Sequence, residues 1–316
     1  MARVDQPTFT VIGNYTANGG AIRLQTVLGA DSSPADRFVI SGGTASGTTG
    51  LAVTNLGGAG AATQQEGILV VQAVNGATTS GSAFGLSNEV AAGAYEYALF
   101  RGGISAGSSE NWYLRSTILP GSEPAPPVGP ELSAEDPGEP IILPPGPGVE
   151  PPTPGATPIV ADDPTEPIPL YRIEVPIYSV VPPAVRETAL ATLGTFHERR
   201  GEQNIITSNS NFSAAWGRAF GQSTEQSWEG TVNPSVDGNL YGIQAGLDIV
   251  GHESNGGHYD LAGLFFGYSN FDADIKGEAV GWKNLQVGSM NVDTTSFGGY
   301  WTDTVEKLVV AGAWDA

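Results

Sequence analysis

The chain has 316 residues with a net charge of −20, no cysteine, 44 glycines and 23 prolines. Only 13 residues are Lys or Arg, too few for a basic face that binds phosphates, so we expect no nucleic-acid partner. The missing cysteines exclude disulfide frameworks and thiolate metal sites. High glycine with 9% aromatic residues is typical of a turn-rich all-β protein. Neither a signal peptide nor an apolar run for a transmembrane helix is visible, so export would require an N-terminus upstream of Met1.

The first region, to about residue 116, consists of short strand-like runs separated by Gly and Asn clusters. A β-sandwich and a parallel β-helix both fit this pattern. Frequent Gly-Gly turns and the residues Asn14, Asn55 and Asn75 favour the β-helix, because side-chain ladders form where rungs repeat. The runs are 21–24, 37–40, 51–53, 67–71 and 95–99.

A proline-rich linker is predicted over residues 117–168. Acidic residues are scattered through it, and no Lys or Arg occurs between Arg115 and Arg172. Proline favours extended polyproline II and like charges repel, so the pattern predicts a semi-rigid disordered tether. An SH3-type ligand is the alternative, but the basic residue such ligands usually carry is missing.

The third region, 169–316, opens with a predicted helix over about 183–200. Pro182 and Pro183 are assigned to its start and Gly201 to its stop. Helical spacing is shown by Ala184, Leu190, Leu193 and Phe196.

About five strands follow the predicted helix. The best of them, Leu240–Ile249, alternates apolar and polar residues over a length that suits a tilted membrane strand, although a soluble sandwich strand has the same period. Trp216 and Arg218 share a face that we expect to line a barrel lumen. Long loops at 222–238 and 271–284 alternate with short turns, as in outer-membrane barrels. The predicted strands are 212–221, 239–250, 258–270, 285–301 and 306–315.

Sequence stretches on both sides of the linker carry a family resemblance. On the N-terminal side they are 31–40, 45–49, 67–71, 92–97 and 111–116, and on the C-terminal side 171–176, 193–200, 215–218 and 237–248. In these stretches the chain resembles the type V autotransporters, and within them the pertactin-like proteins. The resemblance covers nearly the whole chain.

The resemblance implies an all-β fold: a right-handed parallel β-helix cap with an autochaperone segment (1–116), the disordered Pro-rich linker (117–168), and one α-helix with a partial antiparallel outer-membrane β-barrel (169–316). It implies partners in outer-membrane lipid, the barrel-insertion machinery and a host surface ligand of the passenger. The implied autochaperone residues are Asp31, Ser32, Asp36, Arg37, Tyr95, Tyr97, Trp112 and Tyr113, and the implied structural or translocation residues are His197, Glu198, Arg199, Arg200, Trp216 and Arg218.

The C-terminus departs from the family pattern. The family barrel needs about a dozen strands and usually ends in an aromatic residue, whereas this chain has room for about five strands and ends in Asp315-Ala316. We therefore expect a truncated barrel that cannot close and leaves sheet edges bare.

Candidate ligand and catalytic sites each have a structural alternative. Oxygen atoms of Asp31, Ser32 and Asp36 could bind calcium, but an Asx-turn is the favoured interpretation. His252, Glu253 and His258 are read as a solvated turn rather than a metal site. For His197–Arg200 we favour interaction with the helix dipole over catalysis. Nucleophile-elbow and phosphate-loop motifs are absent, so no catalytic, cofactor or metal site is predicted.

The expected function is therefore secretion, folding and surface display of an upstream passenger of adhesin or virulence type, without enzyme activity. Two alternatives stay open. One is an enzymatic passenger, a protease or lipase, upstream of residue 1. The other is a soluble β-rich surface protein with a stalk. The expected location is the outer membrane of a Gram-negative bacterium, with the passenger at the cell surface.

Overall fold

A computed structural model describes residues 6–128, 144–145, 150–161, 163, 165–193, 214–254 and 258–305. The chain forms two compact units. The first comprises Met1–Ile177 together with Glu229–Pro234 and Lys276–Val287, and the second comprises Tyr178–Trp228, Ser235–Ile275 and Gly288–Ala316.

The first unit contains many short strands, and the predicted runs at 21–24, 37–40, 51–53, 67–71 and 95–99 all fall on them. In chain order the strands are β1 (Thr8–Ile12), β2 (Tyr15–Thr26), β3 (Arg37–Ser41), β4 (Thr44–Asn55), β5 (Ile68–Val74), β6 (Thr78–Thr79), β7 (Phe84–Leu86), β8 (Ala91–Ala92), β9 (Tyr95–Glu96), β10 (Ala98–Arg101), β11 (Trp112–Arg115), β12 (Thr117–Ile118), β13 (Thr157–Pro158) and β14 (Ile168–Pro169).

The chain alternates between two parallel sheets from β1 to β7. One sheet pairs β1, β3 and β5, and the other pairs β2 and β4 with β6 and β7. Thr8 pairs with Arg37 and Thr49 with Phe84, so partners lie 29 to 35 positions apart. Each pass of the chain thus adds one strand to each sheet. We call β1–β7 the coil; its handedness stays a prediction.

An antiparallel pair ends the coil. β11 pairs antiparallel with both β5 and β10, although β5 is parallel to β3 on its other side. The change of direction places Trp112 opposite Val71 and Arg101.

A column of aromatic rings runs through the core of the first unit. Ring centroids are 5.8 Å apart for Phe9 and Phe38, 5.9 Å for Phe38 and Phe84, and 5.4 Å for Phe84 and Trp112. Phe38, Phe84 and Trp112 are buried. Each ring comes from a different pass of the chain, so the column joins segments far apart in sequence. Burial of such rings, with their edge-to-face contacts, is a main source of stability in this unit.

Four long antiparallel strands, with the short β13 at the β18 edge, form a separate five-stranded sheet: β15 (Ala214–Ser227), β16 (Ser235–Ser254), β17 (His258–Ala279) and β18 (Trp282–Val305). β16 alternates as predicted, with Tyr241, Ile243 and Leu247 exposed while Leu240 and Gln244 are buried. The predicted strand 306–315 lies outside the described residues.

The long loop predicted at 271–284 is wrong. The structure has a two-residue turn, Val280-Gly281, with φ of 48° and 78°, values typical of a tight hairpin turn. The sequence misled because acidic residues are rare in strands. In fact Asp272 and Asp274 alternate with buried Phe271 and Ala273 along β17. The loop predicted at 222–238 is shorter in the structure, where only residues 228–234 lie between β15 and β16.

The single helix of the described chain, α1 (Glu174–Leu193), begins nine residues before the predicted start at 183. Pro182 and Pro183 lie inside it rather than at its start. Pro176 occupies the first turn, where no backbone N–H is needed, and so takes the position that we assigned to Pro183. The predicted continuation to residue 200 lies outside the described residues. None of the helical residues that the structure describes forms a segment long and apolar enough to cross a membrane.

Parts of the predicted linker are ordered. Val128 donates to the Leu86 carbonyl at 2.8 Å, and Ala125 donates to the Leu99 carbonyl at 2.7 Å. Thr157 and Pro158 form β13 against β18. These described parts therefore differ from the expected disordered tether.

We predict that Phe84→Ala lowers the free energy of unfolding of the first unit by about 3 to 5 kcal/mol, because Phe84 contacts the rings of Tyr15, Phe38 and Trp112. Urea unfolding of the chain in detergent would measure it. Ile12→Ala is the matched control: Ile12 is 87% exposed, so its loss should stay within about 0.5 kcal/mol. Equal losses in both variants would contradict the role of the column.

Candidate functional site

Asp31 fastens one loop of the coil to the next. Its Oδ2 accepts the N–H of Gln64 at 2.7 Å, and its Oδ1 accepts those of Gln65 at 3.0 Å and Gly67 at 2.7 Å. The adjacent Ser32, at φ 61°, donates its own N–H to the Gly67 carbonyl at 3.0 Å. The sequence favours an Asx-turn between rungs, in which a carboxylate bonds to the backbone two positions on. The Asp31 carboxylate instead bonds to the following loop, 33 to 36 positions on. Charged hydrogen bonds of this kind are among the stronger ones in proteins.

The arrangement around Asp31 is poorly suited to calcium, because its oxygens face N–H donors whereas calcium needs further oxygen ligands. Among the residues that the structure describes, no three His, Cys, Asp or Glu side chains lie close enough to hold a metal ion. The side chains of His252, Glu253 and His258 lie outside the description.

Asp36 and Arg37 secure the start of β3. Asp36 Oδ2 accepts the N–H of Gln25 at 2.8 Å, and its own N–H donates to the Gln25 carbonyl at 2.9 Å. The backbone N–H of Arg37 donates to the Pro7 carbonyl at 3.0 Å. Both residues therefore join neighbouring passes of the chain.

Tyr97 is a buried bridge between loops. Its hydroxyl accepts the Ala61 N–H at 3.0 Å and lies 2.9 Å from the Gly29 carbonyl and 3.0 Å from the Ala61 carbonyl. Burial raises the pKa of Tyr97 above its ordinary value, so the hydroxyl stays a proton donor over a wide pH range.

Trp112 lies at the centre of a polar network that sequence reasoning missed. Its Nε1 donates to Thr79 Oγ1 at 3.1 Å, and Thr79 in turn bonds Glu110, its N–H lying 2.6 Å from Glu110 Oε2. Arg101 donates to the same Glu110 oxygen at 2.7 Å. Burial alone would raise the pKa of Glu110, but the Thr79 N–H and Arg101 outweigh it and lower the pKa. Thr79 lies 31 positions from Glu110, so no local motif marks the pair.

Tyr113 packs against a buried cation. The Arg115 guanidinium lies 5.5 Å from the Tyr113 ring centroid and 5.2 Å from that of Phe100. It donates to the carbonyls of Glu66 at 2.9 Å and Gly102 at 2.7 Å. Loss of solvent lowers the pKa of Arg115, while arginine stays charged in proteins. The stretch Asn111–Ser116 contained this residue, but nothing in the sequence marked it as buried.

Tyr95 contacts a segment that returns from beyond the linker. Its ring stacks on Tyr171 with centroids 5.4 Å apart.

Tyr171 belongs to residues 168–172, which we call the strap. β14 of the strap pairs with β12. The Leu170 N–H donates to the Ser116 carbonyl, and the Leu170 carbonyl accepts the Glu96 N–H. The backbone N–H of Arg172 donates to the Ala94 carbonyl at 3.0 Å. The Leu170 side chain is fully buried with Ala98, Phe100 and Ile118. The sequence placed the strap at the edge of a disordered linker, so this contact was missed.

The Val280-Gly281 turn also lies against the strap within the first unit. The Val280 N–H donates to the Tyr171 carbonyl at 2.8 Å, and the Ile159 N–H donates to the Gly281 carbonyl at 2.8 Å. Val280 and Trp282 are buried. The strap is thus held from both sides.

Trp216 and Arg218 lie on one face of β15, as predicted. Arg218 donates from Nε to Gln244 Oε1 at 2.8 Å and from its terminal nitrogen to the carbonyls of Thr192 at 2.9 Å and Ala191 at 3.1 Å. A cation at the last carbonyls of a helix interacts favourably with the helix dipole. Trp216 Nε1 donates to the Tyr300 hydroxyl at 2.7 Å.

The face with Trp216 and Arg218 therefore holds α1 within the second unit, since Gln244 Nε2 also donates to the Thr192 carbonyl at 3.2 Å. His197, Glu198, Arg199 and Arg200 lie outside the described residues.

Two family models match the chain. Residues 3–99 match the Autochaperone Domain Type 1, and residues 215–315 match the Autotransporter beta-domain. The chain belongs to the autotransporters. The family places the strand region in the outer membrane of a Gram-negative bacterium, with the passenger exposed at the surface.

Three relatives illustrate the similarity. The Adhesin BmaC autotransporter of Brucella suis biovar 1 (strain 1330) is 44% identical over 146 residues, 44% of this autotransporter chain and 4% of the relative. The uncharacterized protein YdeU of Escherichia coli (strain K12) is 29% identical over 281 residues, 87% of this chain and 52% of YdeU. The autotransporter adhesin AIDA-I of Escherichia coli is 40% identical over 108 residues, 34% of this chain and 8% of the adhesin. The chain thus spans about half or less of each of these relatives.

We predict that Asp31→Asn lowers the free energy of unfolding of the first unit by about 1 to 3 kcal/mol. The amide keeps one acceptor oxygen and turns an NH₂ group towards backbone N–H donors of the next loop. Urea unfolding would measure the loss, with the exposed Glu123→Gln as the control that should change little. If calcium stabilised the wild type but not Asp31→Asn, Asp31 would be a calcium ligand and its role as a loop clamp would be wrong.

Proposed function

We propose that this chain secretes, folds and displays an upstream passenger without itself catalysing a reaction. The strap is the observation that carries the proposal. It pairs with β12 and bonds to Ala94 and Glu96, and the same chain continues into α1 at Glu174. A segment that leads directly into the helix is therefore bonded along its length to β9 and β12, which follow the coil.

The two ends of the coil support a direction of folding. β11 and β10 cover the edge of β5, whereas β1 pairs with β3 alone among the strands that the structure describes. Near that open edge, Phe9 and Ile12 are 67% and 87% exposed. A single rung cannot bury its apolar face alone, and an unpaired edge is a template for another strand. A preceding rung of the passenger would add to β1 and β2, so folding would spread from the strap end towards the N-terminus.

The proposal includes the domain boundaries. Residues 1–116 form the end of a right-handed β-helix with its autochaperone segment, 117–168 the linker, and 169–316 part of the β-barrel domain. The autochaperone residues are Asp31, Ser32, Asp36, Arg37, Tyr95, Tyr97, Trp112 and Tyr113. Most of their contacts, described above, join loops or strands that are distant in sequence, whereas Tyr113 packs on Arg115 of its own strand.

Trp216 and Arg218 are proposed to hold the helix against the strands during translocation. Support comes from the hydrogen bonds of Arg218 to the carbonyls of Ala191 and Thr192. For His197, Glu198, Arg199 and Arg200 we propose that they extend this attachment at the end of the helix.

A non-enzymatic, adhesin-type passenger is the form of the proposal that the relatives favour. BmaC and AIDA-I are both named adhesins. The proposed partners are outer-membrane lipid, the barrel-insertion machinery and a host surface ligand of the passenger, with no nucleic acid. A protease or lipase motif upstream of residue 1 would replace the adhesin part of the proposal.

The function can be tested in the parent gene by expressing it with Leu170→Asp and treating intact cells with proteinase K. Leu170 is fully buried, so a charge there should detach the strap. The expected result is a wild-type passenger at the surface in a protease-resistant form and a variant passenger at the surface that is digested. Ile104→Asp, at a residue 67% exposed in the same unit, is the control and should resemble the wild type.

A wild-type passenger that never reaches the surface would contradict secretion and display. A variant passenger as resistant as the wild type would contradict the role of the strap in folding.

A further inference from the structure

The strap contacts β9 beside a small cluster of charged side chains. Glu96 lies in β9, half-buried, and its N–H donates to the Leu170 carbonyl at 2.9 Å. Glu89, Glu174 and Arg172 act on the Glu96 carboxyl electrostatically. Three carboxyl groups thus share a region with one guanidinium, which is itself paired with Glu174.

The surroundings of Glu96 are mainly apolar. A small pocket lies at the joint. Its lining includes Glu96 and Glu89 together with the apolar residues Leu86, Val90, Leu170 and Val280. The lining residues that come from the linker and from the Val280-Gly281 turn are uncharged. Tyr97 also lines the pocket and is a titratable group there. Tyr95 and Tyr171 stack close by. An ionised Glu96 would therefore face poor solvation together with two other carboxylates.

We propose that the joint between the strap and β9 is a pH-sensitive latch, with Glu96 as its sensor, that is closed in acidic medium and weakens as the medium becomes alkaline. Its role goes beyond display, because it would set how firmly the folded end of the passenger is attached at the cell surface. The ligand of the passenger has no part in it.

The direction follows from burial. Loss of solvent is the largest cause and Glu89 the next, and together they raise the pKa of Glu96 from 4.5 to about 8, against the opposing effect of Arg172. A raised acid pKa means that the closed joint binds a proton more tightly than the open one. The stabilisation of the closed joint by protonated Glu96 is complete below pH 4.5. It falls as the pH rises to about 8 and no longer changes above that value.

Hydrogen exchange of the full chain in detergent micelles tests the latch. The amides of Leu170 and Arg172 report it, because they donate to Ser116 and Ala94 across the joint. Their protection factors, which already correct for the faster intrinsic exchange in base, should fall at least about tenfold between pH 6 and pH 8. Amides of the β3–β5 ladder in the same sample should keep theirs.

Three variants complete the test. Glu96→Gln keeps the shape and removes the titration, so the fall should disappear. Glu89→Gln removes a neighbouring charge and should shift the fall to lower pH. Glu123 is exposed and is not among the charges that act on Glu96, so Glu123→Gln should behave as the wild type. A flat profile in the wild type, or an unchanged fall in Glu96→Gln, would overturn the latch.

Discussion

A stack of parallel strands has an unpaired edge at each end, and the rest of the first unit depends on how one of these edges is covered. β11 covers the edge of β5 by pairing in the opposite direction, with Trp112 opposite Val71 and Leu114 opposite Ile68. This brings Trp112 against Phe84 and places the buried Arg115 between two rings. Without this antiparallel strand, the last apolar layer of the coil would face water and the strap would lose its neighbour β12.

Polar side chains in this unit act mostly between loops rather than within them. Asp31 bonds to backbone groups 33 to 36 positions further along, and Tyr97 links loops at Gly29 and Ala61. Each such bond orders two loops at once, so the cost in chain entropy is shared between them. Thr79 and Glu110 act in the same way, because their hydrogen bonds connect β6 to the loop that precedes β11.

Strands with a clear period were predictable, since apolar runs such as 37–40 and 68–71 and the alternation of 240–249 depend on side-chain pattern alone. The start of the helix could not be predicted in the same way. The adjacent prolines Pro182 and Pro183 look like a stronger helix start than the single Pro176, which lies in the actual first turn. The turn at Val280-Gly281 lacks the Asn-Gly signature of a tight hairpin. The strap contacts also stayed hidden, because Leu170 follows prolines and its partners lie more than fifty positions earlier.

The candidate residues were identified by type, but their partners were not. Asp31 was seen as a turn or calcium residue, whereas three amides of the next loop define its role. Long-range partners of this kind cannot be read from one sequence, since nothing local distinguishes Gln64 or Gly67 from other loop residues. Stability of the first unit is expected to be centred on the antiparallel strands at the end of the coil. Hydrogen exchange of the native chain, residue by residue, tests this most directly. Protection should be highest in β5, β10 and β11 and should decline towards β1, whereas equal or greater protection in β1 would contradict the account.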